Sequence, residues 1–166
     1  MKAWRLTMFL LFALPHLAVG QAQEDPHSEL AFFEGTWTVK GQEATYRETC
    51  SWFENRRFLI CKAEDKEGGA PSWTMSIFGY SPEQQAYTHT LFGSSGSIRS
   101  IHGWRNGKVW TFTGETHQGD STRRMQVTIS PTKRGFTFQQ DVSINGAAWN
   151  RGVETRDQSR CDSKAF

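Results

Sequence analysis

Met125, Val127 and Ile129 alternate with Arg124, Gln126 and Thr128. This is the period of a strand with one face turned inward. The same reading holds for Phe136, Phe138, Gln140, Val142 and Ile144, and for Tyr87, His89 and Leu91. Trp73, Met75 and Ile77 share one face of another strand, as do Trp110 and Phe112. Turn chemistry separates these runs. Asn106-Gly107 and Asn145-Gly146 are strong hairpin signals, and Ser81-Pro82 places proline at the second turn position. The strands expected are 36–40, 44–53, 58–64, 73–80, 86–92, 98–104, 109–115, 122–129, 136–144 and 147–155. The only helical signal is one turn over Glu29–Phe33, with Ser28 as its cap and Leu30 and Phe33 facing the barrel end. Strands of such even spacing with short connections predict an all-β fold, an up-and-down antiparallel barrel of about ten strands. Closing the sheet removes the unpaired edges that long strands otherwise expose.

Phe32 to Gly41 carries a short apolar turn followed by a Gly35-x-Trp37 step into the first strand. Gly35 permits a tight backbone turn, and Trp37 supplies a large plug for one end of the barrel. The hairpin over 44–64 turns at Glu54-Asn55-Arg56-Arg57. Centring it between 55 and 56 sets 53 opposite 58 and Cys50 opposite Cys61. Directly opposed side chains lie within reach of a disulfide. Two buried thiols, or the pairing of one with Cys161, are the alternatives. No second close pair or histidine cluster supports a metal site at these cysteines.

Residues 1–22 have the pattern of a secretory signal peptide. Lys2 and Arg5 precede a short apolar run from Leu6 to Leu14, then small residues at Ala18, Gly20 and Ala22. Cleavage is expected after Ala22, or after Gly20. An uncleaved N-terminal anchor is the alternative. No cysteine precedes Cys50, so a lipoprotein anchor is not expected. The chain is then secreted or periplasmic, with a barrel domain over 23–156, a polar tail over 157–166, and no stable membrane insertion. Charge adds one exclusion. The 19 basic and 17 acidic residues of the whole chain become balanced once Lys2 and Arg5 leave, which argues against a nucleic-acid partner.

Four stretches together resemble a known family. They are Leu30-x-x-Phe33-x-Gly35-Thr36-Trp37, Cys50-Ser51-Trp52-Phe53-x-x-x-Arg57-Phe58-Leu59, Phe78-Gly79-Tyr80-Ser81-Pro82-x-x-x-x-Tyr87, and Trp110-Thr111-Phe112-Thr113-Gly114-Glu115. In this order they resemble the bacterial domain of unknown function 1579, lipocalin-like proteins of the calycin type. The resemblance covers about 29 to 155. It implies a small barrel with room for a ligand and carries no catalytic signature.

A barrel of this size either holds a small ligand or fills its centre with side chains. The candidate ligand-binding residues are Trp73, Tyr87, His89, His102, Trp104 and Trp149. The alternative places Trp73 and Trp149 in the core and both histidines in water. No cofactor is expected. Haem would need an inward histidine on a late strand, and none follows His117. Three functions follow from different classes. The first is a carrier of a small apolar or amphipathic ligand. The second is a filled barrel acting through its surface as an interaction module. The third is a weak hydrolase drawn from Ser100, His102 and Glu115, although no Gly-x-Ser-x-Gly elbow is present. The chain is expected not to be an enzyme, with no catalytic residues.

Overall fold

A computed structural model describes residues 25–161; the expected signal peptide lies outside them. Helix α1 (Pro26–Glu29) runs into a 3-10 turn over Leu30–Phe33. Ten strands follow: β1 (Gly35–Val39), β2 (Tyr46–Trp52), β3 (Leu59–Asp65), β4 (Ser72–Ser81), β5 (Ala86–Gly93), β6 (Ile98–Asn106), β7 (Val109–Gln118), β8 (Ser121–Pro131), β9 (Gly135–Ile144) and β10 (Asn150–Arg160). Each strand pairs antiparallel with its sequence neighbours, and β1 pairs with β10 to close the barrel. The up-and-down barrel read from the alternation is therefore the fold.

The expected hairpin register holds. Cys50 stands opposite Cys61, Trp52 opposite Leu59, and the Phe53 N–H donates to the Phe58 carbonyl. Asn55 and Arg56 take positive φ at the tip, which suits the tight turn. Cys50 and Cys61 form a disulfide, and Cys161 is free.

The helical turn plugs one end of the barrel. Leu30 and Phe33 are fully buried. Phe33 stacks on Phe78 with ring centroids 5.0 Å apart, and Trp37 donates its indole N–H to the Phe33 carbonyl at 2.8 Å. Gly35 sits at φ +123°, a conformation that side-chain-bearing residues rarely take, and this lets the plug turn directly into β1. Trp110, Phe112, Met125 and Val127 belong to the same buried cluster as Leu30 and Phe33. The lid is tied down by Glu29, whose carboxylate pairs with Arg105 at 2.6 Å and accepts the Tyr87 hydroxyl.

Three expectations are corrected. The helix cap is Asp25, not Ser28. The Asp25 carboxylate accepts the His27 N–H at 3.1 Å, while the Ser28 hydroxyl donates back to the Asp25 carbonyl. Helix α1 thus starts earlier because Asp25-Pro26 offers both a capping acceptor and a ring preset for the first helical position.

The last strand does not end near 155 with a tail from 157. It starts at Asn150 and continues to Arg160, where Trp37 pairs with Arg160 and Val39 with Gln158. The Cys161 N–H then donates to the Thr36 carbonyl at 2.9 Å. Without 157–160 the barrel would have no seam, so a polar stretch is held by backbone pairing. Trp149 falls before the strand.

The third correction concerns β4. Ser76 and Phe78 are buried and Trp73 is exposed, so the face carrying Trp73, Met75 and Ile77 is the outer one.

Candidate functional site

Behind the aromatic plug the barrel is not filled. A cavity of about 240 Å³ occupies the lumen. Its apolar end is formed by Phe33, Trp37, Phe78 and Phe136. Trp37 and Phe136 meet edge to face at 4.9 Å, which fixes both rings. The Cys50–Cys61 bridge lies in the wall. Towards the other end the lining turns polar, with Tyr46 and Glu48 from β2, Asp65 from β3, Gln140 from β9, and Glu154, Arg156 and Gln158 from β10. His89 and Leu91 from β5 and Arg99 from β6 also line the cavity.

Glu48 is the singular group of this wall. It is partly buried, and the space it faces is the lumen. Burial pushes its carboxyl up to about 7, against weaker opposing effects of the Tyr46 hydroxyl and the Arg156 charge. The Tyr46 hydroxyl donates to Glu48 Oε2 only at 3.5 Å. Burial, then the Glu48 charge, drive the Tyr46 phenol well above its ordinary range. Arg156 is engaged elsewhere. Its Nε meets Glu154 Oε1 at 2.6 Å, and its guanidinium lies 5.4 Å over the Tyr46 ring. The Glu48 carboxylate and the two bridge sulfurs lie within 4.8 Å of one another. Bonded to each other, those sulfurs carry no thiolate charge for a metal.

Two further lumen groups, although buried, have no hydrogen-bond partner among the described residues. They are the Gln158 Oε1 and both ring nitrogens of His89. The His89 ring stacks on Phe78 at 4.1 Å and meets Phe112 edge-on at 5.8 Å. Burial, then the Arg99 charge, hold its imidazole down at about 4, so it is neutral at ordinary pH. Buried polar groups are normally satisfied, and exceptions ask for an explanation.

Of the six residues expected to bind a ligand, the structure puts His89 alone on this cavity. Tyr87 is buried in the plugged end, edge-on to Trp110 at 4.6 Å and to Tyr80 at 5.1 Å. Trp73, His102 and Trp104 are exposed on the outer face. Trp149 is half-buried in the segment before β10, under the Arg151 guanidinium. The hydrolase trio is not assembled either. Ser100 and His102 are exposed, the Ser100 hydroxyl bonds to Thr90, and Glu115 pairs with Arg124 at 2.8 Å and His117 at 3.1 Å.

Glu48, Gln158 and Arg156 were not singled out from the sequence. The signal that could have found Glu48 is its spacing from Cys50. Once the cysteines are placed inward by their pairing, the residue two positions away must share their face.

A family model described as a protein of unknown function (DUF1579) matches residues 22–156. No curated protein matches the chain.

Proposed function

We propose that this chain, which belongs to the DUF1579 family, is an exported carrier that holds a small amphipathic molecule in its barrel. The observation carrying this reading is the two-ended lumen. One end is aromatic and apolar, and the other presents under-partnered polar groups. Ligand pockets combine apolar walls with a few placed polar groups in this way. At about 240 Å³ the space lies below the usual range for drug-sized ligands, so the cargo is small. A barrel filled from end to end is less consistent with a cavity of this volume. The disulfide fits a protein outside the cytoplasm, and among the described residues no helix is long and apolar enough to cross a membrane. The signal-like leader adds secretion or residence in a periplasm to the proposal. Carriage is preferred over catalysis because the hydrolase trio stays apart.

Native mass spectrometry of protein purified from its own envelope tests this directly. A bound species that is lost on denaturation is expected. A bare mass, together with no shift in Tm on addition of small amphiphiles, would sink the carrier reading.

A further inference from the structure

We propose that the ligand carries a protonated amine, and that Glu48 with Gln158 receives it at the polar end of the lumen. This rests on the carrier reading and narrows it to one chemical class. Glu48 has a single long hydrogen bond from Tyr46 and no cation within ion-pair distance among the described residues. Gln158 presents a buried carbonyl oxygen without a partner. Both groups are acceptors when Glu48 is ionised, and a carboxylate has only acceptor atoms to offer. A ligand that fills this end must therefore bring donors.

Charge decides between an ammonium and a neutral donor. Three carboxylates face the lumen on the wall of β2, β3 and β10: Glu48, Asp65 and Glu154. Against them stands Arg156, already bound to Glu154 at 2.6 Å. One further positive charge brings this wall closer to neutrality, and it does so where water is scarce. A ligand carboxylate would instead meet three like charges. The cation open to it, Arg99, belongs to β6, and its guanidinium donates to the Met125 sulfur at 3.4 Å. The apolar part of the amine then lies towards Phe33, Trp37 and Phe136, which demand no polar partner.

The proposal has a pH signature. Glu48 must be ionised to hold an ammonium, and its carboxyl sits at about 7 in the empty barrel. The titratable and charged groups around it are Tyr46 on its own strand, Asp65 on β3, and Glu154 and Arg156 on β10. His89 and Arg99 complete the lumen's charges from β5 and β6. His89, held at about 4, stays neutral above pH 6. Cys50 and Cys61 are joined and do not titrate. Raising the pH from 6 to 8 therefore ionises Glu48 and should tighten amine binding about tenfold.

The test is isothermal titration calorimetry on the processed, disulfide-bonded protein with 2-phenylethylamine, 2-phenylethanol and 3-phenylpropanoate. At pH 8 the amine is expected to bind at least tenfold tighter than the alcohol, with the carboxylate weakest. Glu48→Gln should bring the amine down to the alcohol's affinity and abolish its pH dependence. Gln158→Leu should weaken amine and alcohol together, which separates the neutral acceptor from the charged one. The unmodified protein's selectivity already decides the matter should either variant fail to fold. Equal binding of amine and alcohol, or preference for the carboxylate, overturns the amine assignment and leaves carriage standing. Failure of all three probes to bind also overturns the amine assignment, while carriage itself stands or falls on the native mass spectrum.

Discussion

Glu48 should make the empty barrel less stable as the pH rises, and the size of the effect follows from its position. Folding moves its carboxyl from an ordinary 4.5 to about 7, because the charged form is poorly solvated on the lumen wall. A raised acid favours the folded state while it is protonated. That contribution is whole below pH 4.5 and is lost as the pH climbs through 7. A gap of about 2.5 between the two values corresponds to about 3 kcal/mol over the full range, and to about 2 kcal/mol between pH 5.5 and 8. Because the side chain is only partly buried, somewhat less is expected. The other shifted carboxyls do not interfere. Asp25, Glu43, Glu83, Glu115 and Asp141 are all held below their ordinary values and titrate beneath the window. His89 acts in the opposite sense, because unfolding returns its imidazole from about 4 to 6.5 and so adds stability as the pH rises from 5.5; that contribution is common to the unmodified chain and Glu48→Gln and cancels between them. Urea unfolding of the oxidised protein at pH 5.5 and pH 8 measures the difference. The unmodified chain should lose about 2 kcal/mol relative to Glu48→Gln across that interval. Parallel curves for the two proteins would refute the placement of an ionisable, poorly solvated carboxyl in the lumen. A protonated amine that binds Glu48 should restore the stability lost at pH 8.

Asp141 tests the opposite sign. Burial would raise its carboxyl, but hydrogen bonds from the Gly152 N–H, the Gln139 amide and Arg151 outweigh that and hold it below 3.8. Its stabilisation is thus present above pH 3.8 and lost as the pH falls below. Asp141→Ala removes the acceptor of the Gly152 N–H at the irregular register of β9 and β10 and should cost about 1–3 kcal/mol in denaturant, because the Arg151 left behind is exposed and stays hydrated; no measurable loss would contradict the bonding described. Replacing Cys50 and Cys61 by alanine opens an 11-residue separation and should cost about 3 kcal/mol. Alkylation of the unreduced, denatured protein should label Cys161 alone, and labelling of three cysteines would exclude the bridge. Phe33→Ala removes the ring that stacks on Phe78 and caps the lumen. It should cost about 3–5 kcal/mol and widen the range of ligand sizes bound, as read by denaturation and calorimetry.

The fold was legible because antiparallel strands state their own period. Met125, Val127 and Ile129 are buried, as read, and Phe136 and Val142 mark the inner face of β9. The hairpin with Cys50 opposite Cys61 was legible for a different reason, since a short turn centred between 55 and 56 fixes one register. The seam was not. Arg156-Asp157-Gln158-Ser159-Arg160 reads as a frayed tail because nothing apolar marks it, yet Gln158 and Arg160 pair with β1. A strand held by backbone ladders need not declare itself in its side chains.

The candidate site was least legible for a related physical reason. Aromatic character points Trp73 and Trp104 into the lumen, but a barrel wall has two faces, and both stand on the outer one with about half their surface exposed. Size and hydrophobicity do not distinguish the faces; parity does. On β2 the inward positions are Tyr46, Glu48 and Cys50, and on β10 they include Glu154, Arg156 and Gln158. There polar residues stand on the lumen side as well as on the outer one, a departure from the usual rule of polar outside and apolar inside. Polar groups on an inner wall cost stability, as the unpartnered Gln158 oxygen and the raised Glu48 carboxyl indicate. Disruption of local rules at the expense of stability is characteristic of sites shaped for a ligand. The same polar residues that hide the lumen from a hydrophobicity reading are thus the reason to expect something bound there.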